Sequence, residues 1–215
     1  MPNRAYLALN FSGDPNDQPR AQTIVAAAST CYPILWWSIF GLTNIATRTE
    51  GWEDDDSNPV PVEVPTLLTT PAMARKRIHA RQDLFYTYFP STVAPIYQQW
   101  QTLVEQLDAP FIQLFTDEIC MMSEPDPTNT NVDRYEYDFR AVTTYVRAFE
   151  EAQVEDWMKL LRQVQIDLDL HTLSLTYLQW ENGTYRTLST SEIEAEIGYR
   201  LRGYGWERPV PWSDD

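Results

Sequence analysis

Val93, Ile96, Tyr97, Trp100, Leu103, Val104 and Leu107 recur at spacings of three, four and seven, so residues 92–107 read as a helix with one unbroken apolar stripe. A stripe of that kind must be buried against other elements. Residues 5–11, AYLALNF, set Leu7, Leu9 and Phe11 on one face, as a half-buried strand does. FIQLF at 111–115 reads as a short buried strand, stopped by Asp117 and Glu118. In YPILWWSIF at 32–40, Pro33 suits a first helical turn and Trp36, Trp37 and Phe40 are core residues on any reading. A core helix is expected there, with a strand as the alternative.

Thr70 and Pro71 supply an N-cap and a first-turn proline for TPAMARKRIHARQDLFYTYF, whose Arg75, Lys76, Arg77 and Arg81 form the densest basic patch. Those cations are expected to pair with the protein's own acids. Helical spacing returns at Val142, Tyr145, Val146 and Phe149, then at Trp157, Leu160, Leu161 and Val164. Asn182-Gly183, inside an alternating stretch, signals a hairpin, and Ser189 with Glu192 forms a capping box before a helix closed by Gly203. EGWEDDDSNPVPVEVP at 50–65 shows no periodicity and reads as an acidic loop stiffened by Pro59, Pro61 and Pro65. The expected fold is α+β, a helix-dominated single domain over residues 1–215 with a small β-sheet.

A chain of 215 residues can bury a self-supporting core, and 43% hydrophobic with 22% charged residues is the balance of a globular protein. Eight Trp and twelve Tyr supply large side chains that suit cores and interfaces alike. Two cysteines, Cys31 and Cys120, do not make a disulfide framework. The N-terminus lacks a basic region followed by an apolar one, and the longest apolar run is too short to span a bilayer. A reduced, cytoplasmic protein is the expectation.

Signals of catalysis are thin. There is no Gly-x-Ser-x-Gly elbow, and the histidines are His79 and His171 alone. Two Cys and two His at scattered positions do not build a zinc site. Seven glycines form neither a dinucleotide fingerprint nor a phosphate loop. The loop from Asp126 has Asn131 at the sixth EF-hand position and Tyr137 at the twelfth, so it fails as a calcium site. Asp117 and Glu118, after a buried strand, are the best pair for acid–base work, although strand termination explains them as well. The chain reads as a non-enzyme without metal or cofactor.

Charge says more. Thirty-one acids against sixteen bases give a net charge of −15, which disfavours nucleic acid and anionic lipid and favours a basic partner. The acids cluster: five lie within residues 50–56, seven within 117–138 beside a single Arg134, and four more at Glu150, Glu151, Glu155 and Asp156. A solvated surface accounts for many such runs. The first cluster also flanks an aromatic residue. Trp52 is therefore the candidate anchor, Glu53, Asp54, Asp55 and Asp56 the steering charges, and Asp117 and Glu118 a second acidic contact.

The opening MPNRAYLAL resembles a family of poorly characterised bacterial proteins that begin Met-x-Asn-Arg-x-Tyr-Leu. YPILWWSIFG is similar to their aromatic, proline-containing segment, and FIQLFTDEI to a later strand that ends in acids. Members of this group look like immunity or accessory proteins of bacterial toxin systems. No set of functional residues comes with the resemblance. It implies an immunity protein that occludes the active site of a cognate toxin effector, one with a basic active site, without binding nucleic acid or membrane. The alternatives are a DNA mimic that blocks a nucleic-acid-binding enzyme, and an enzyme with a site at Asp117 and Glu118. A DNA mimic requires carboxylates ruled along one face at phosphate spacing.

Overall fold

The computed structural model describes residues 4–29, 33–53, 59–88, 94–116, 134–150, 178–181 and 184–187. Five strands form one antiparallel sheet: β1 (Arg4–Asn10), β2 (Ile24–Ser29), β3 (Ile45–Glu53), β4 (Pro59–Thr69) and β5 (Phe111–Phe115), in the order β2-β1-β5-β4-β3. The expected helix-dominated domain with a small sheet is corrected by this sheet, which is the platform for the helices. Two features conceal its size in the sequence. β2 is rich in alanine, a poor strand former, and β3 and β4 carry the acids and prolines that read as a loop.

One row of apolar side chains crosses the whole sheet. Ala26 lies opposite Leu7, Leu7 opposite Leu114, Leu114 opposite Leu67, and Leu67 opposite Ile45. Onto this face pack a 3₁₀ helix (Ile34–Ile39), α1 (Pro71–Ala80), α2 (Gln82–Tyr88), α3 (Ala94–Gln106) and α4 (Arg134–Glu150). The stripe of α3 is spent there: Tyr97, Trp100 and Val104 are fully buried. Trp36, Trp37 and Phe40 are buried as expected, on a 3₁₀ rather than an α-helix. Thr70 caps α1 by accepting from the Met73 amide at 3.3 Å, with Pro71 in the first turn.

The basic patch of α1 does not chiefly meet acids. Arg81 donates through Nη1 to the carbonyls of Ser38 (2.6 Å), Phe40 (2.8 Å) and Trp37 (3.4 Å) at the C-terminal end of the 3₁₀ helix, the last of which also accepts from the Phe40 amide. Burial, and then the neighbouring Arg77, pull its pKa down to about 10, which leaves it cationic at neutral pH. Arg77 donates to the Ile39 carbonyl and to Thr69 Oγ1, and Arg75 to the Leu107 carbonyl. These cations hold backbone in place and are not a docking patch.

Residues 45–53 and 59–69 form two long antiparallel strands, so the loop expected at 50–65 is corrected at 50–53 and 59–65, while 54–58 lie outside the described residues. Pro59, Pro61 and Pro65 lie opposite Glu53, Gly51 and Thr47. In such a pair, alternate residues turn their N–H and C=O groups toward the partner strand or away from it. Proline fits only where no N–H is needed. The three prolines share one parity, so that parity points outward on both strands. Two contacts agree: the Thr49 amide, opposite Glu63, reaches outward to Asn16 Oδ1 at 2.8 Å, and the Pro65 carbonyl accepts from Thr116 Oγ1 on the other side. The two-residue proline spacing is a strand signature.

β6 (Leu178–Glu181) and β7 (Thr184–Thr187) pair antiparallel with Glu181 opposite Thr184, as Asn182-Gly183 predicts. The expected helices at 157–164 and 189–203, and both cysteines, lie outside the described residues. No helix among the described residues is long and apolar enough to cross a membrane.

The ladder parity is testable in urea. Pro61→Ala should cost no more than about 1 kcal/mol, since it removes only a restriction on the unfolded chain. Val62→Pro deletes an inward N–H that the ladder uses and should cost about 2 kcal/mol. Equal costs for the two changes would contradict the register.

Candidate functional site

Among the described residues, the third strand borders only the base of the β3–β4 pair. β5 pairs with β4 only at Leu67, Leu68 and Thr69, so from Pro59 to Thr66 the described residues pair β4 with β3 alone. Thr49–Glu53 with Pro59–Glu63 thus form a two-stranded arm. Thr49, Gly51, Val60, Pro61 and Glu63 are exposed on it, and Glu50 and Val62 are half-buried. A two-stranded ribbon is marginal alone. This one carries Pro59 and Pro61 and is anchored at its base, next to Pro65.

The anchor is a polar layer on the sheet face opposite the helices. Asn10, Arg48, Thr66 and Gln113 are buried there, and residues 11–17 bond to three of them. Asn10 donates to Gln113 Oε1 (2.6 Å) and the Asp14 carbonyl (2.8 Å), and its Oδ1 accepts from the Ser12 and Gly13 amides. Gln113 donates to the Pro15 carbonyl (2.7 Å) and to Thr66 Oγ1 (3.2 Å). Gly13 adopts φ +80°, and a Cβ there would sit 2.7 Å from the Phe111 ring, so only glycine lets the segment lie this close. The overlying segment then reaches the arm: Asn16 takes the Thr49 amide, and the Asp17 carbonyl accepts from Arg48 at 3.2 Å.

Arg48 is the centre of the anchor. Its side chain is 1% exposed, it is bound to the Glu50 carboxylate, and it lies 4.7 Å over the Phe115 ring. A buried cation requires such partners, because burial removes its hydration. Glu50 therefore neutralises Arg48 and is not a steering charge of the acidic cluster. On the arm's opposite face Glu63 is exposed, an acid the sequence reading passes over.

Of the predicted site residues, Trp52 and Glu53 lie at the distal end of β3, opposite Val60 and Pro59. Asp54, Asp55, Asp56, Asp117 and Glu118 lie outside the described residues. Thr116, which precedes Asp117, is held at Pro65 on β4. Sequence reasoning missed Arg48, Asn16 and Gly51. Proline parity was the one signal that would have found the strand they serve. Among the described residues no group of three or more His, Cys, Asp or Glu side chains is placed to hold a metal ion. His79 and Glu105 meet in an exposed pair at 2.9 Å.

Comparison with protein-family models, with curated proteins and with solved structures finds no match to this chain.

Removing one member of a buried ion pair strands the other. Glu50→Gln should lower unfolding stability by about 3 kcal/mol, and the double change Arg48→Met with Glu50→Leu should recover most of it. Urea denaturation of the three proteins checks this. A neutral Glu50→Gln would mean that Glu50 is a surface acid after all.

Proposed function

We propose that the protein is an acidic binding protein, without chemistry of its own, that acts in the cytoplasm by presenting the β3–β4 arm to a basic partner. The observation that carries this reading is the arm itself: a proline-bearing ribbon in which, among the described residues, β4 pairs with β3 alone and Trp52 and Glu53 lie at the far end, where the sequence continues into Asp54, Asp55 and Asp56. The N-terminal resemblance points to one class of partner, a bacterial toxin effector that acts on a polyanion and so has a cationic active site. Occluding such a site needs a stable scaffold, fast association and a slow off-rate. A net charge of −15 favours the association, and steering of this kind raises on-rates by about 10–10³-fold. Trp52 supplies the type of side chain that slows dissociation. Prolines at 59, 61 and 65 reduce the entropy lost when the arm is held. A mimic of DNA would need carboxylates in a phosphate-spaced row. The arm instead alternates acids with Gly51, Val60, Pro61 and Val62, and spends Glu50 on Arg48.

The test is co-expression with the products of neighbouring genes, followed by association kinetics of the complex at low and high salt. Replacing Asp54, Asp55 and Asp56 with Ser should slow association by about tenfold or more and flatten its salt dependence. An unchanged rate and an unchanged salt slope would leave the arm's acids as a solvated surface and overturn the reading.

A further inference from the structure

The two long edges of the arm are not equivalent. Along β4, the outward positions are 59, 61, 63 and 65, and proline occupies three of them. That edge has lost its N–H donors at Pro59, Pro61 and Pro65, so no strand can zip onto it. Along β3, the outward positions are Thr47, Thr49, Gly51 and Glu53, and all retain their N–H. The Thr49 amide is taken by Asn16. Beyond it, among the described residues, nothing pairs with the edge at Gly51 and Glu53.

Gly51 itself is unexplained by the fold. It has no positive φ, and a Cβ added to it would meet nothing within 4 Å. Glycine weakens a strand interior and often marks a place where another backbone comes close. Its cross-strand neighbour is Pro61, so at this level the arm offers bare backbone on one edge and a blocked edge on the other.

We infer that the outer edge of β3 at Gly51–Glu53 is a strand-addition site, and that its occupant is an extended basic segment of the partner protein. Charge complementarity selects the occupant. A second copy of this chain would carry the same net charge of −15 to the edge, which opposes self-association. A segment alternating Lys or Arg with apolar residues meets the acids with one face and makes main-chain bonds with its edge. Asn16 sets the inner limit of the added strand, because it already occupies the Thr49 amide. This inference rests on the arm being the binding element and adds how the partner is held.

The experiment uses the full chain and a short capped peptide alternating Lys and Val, with a second peptide N-methylated at every residue, so that both of its edges are blocked. Amide hydrogen exchange by NMR reads the edge directly. The plain peptide should protect the Gly51 and Glu53 amides about tenfold or more, and N-methylation should abolish that protection. Gly51→Pro removes an outward donor only, so its affinity for the plain peptide should fall about tenfold, while Gly51→Ala should stay within about twofold of the native protein. If the N-methylated peptide binds as well as the plain one and leaves both amides unprotected, strand addition is overturned and the arm binds by charge alone. If neither peptide binds at low salt, the arm-based reading falls as well.

Discussion

Leu114 has a strand on each side, and the architecture depends on that position. β1 pairs with β2, and β3 with β4; β5 alone joins these two pairs into one sheet. At the junction Leu7, Leu114 and Leu67 stand side by side, on the face that receives the 3₁₀ helix and the four α-helices. Their burial drives the sheet together and aligns its register at once. A slip of one residue would move this row to the polar face.

The opposite face of the sheet solves a different problem. It is buried without being apolar, so each polar group there needs a partner. Asn10, Gln113 and Thr66 satisfy one another and the carbonyls of the overlying segment, while Arg48 is balanced by Glu50 and Phe115. Satisfied networks of this type define one arrangement and penalise others. The result is a firm base for the arm: residues 11–17 are tied to the sheet centre at one end and to β3 at the other.

Much of the fold was legible in the sequence where a single period dominated. The stripe from Val93 to Leu107, the buried FIQLF strand, the Thr70-Pro71 helix start and the pairing around Asn182-Gly183 all follow from local rules. The sheet's extent was not legible, because two strands carry residues that ordinarily argue against strands. In β2 the inward residues Ala26 and Ala28 are small because the core above them is filled by large aromatics. In β4 the prolines suit a strand only when all face away from β3, a condition set by pairing partners distant in sequence. The same holds for the candidate site. Trp52 and Glu53 were singled out from composition alone, whereas the pairing of Glu50 with Arg48 depends on Phe115 and Asp17, which only the fold brings near.

The central claim is that residues 45–53 form a strand with one side bonded to β4 and an outer side that, among the described residues, is unpaired beyond Thr49. Residue-resolved amide exchange of the unliganded protein tests it most directly. The account predicts alternation: the amides of Glu50 and Trp52 protected by the ladder, that of Thr49 protected by Asn16, and that of Gly51 exchanging fast. Uniformly fast exchange from 49 to 53 would restore the loop and remove the arm. Protection at Gly51 equal to that of its neighbours would mean that the outer edge is already paired, and that no strand can be added there.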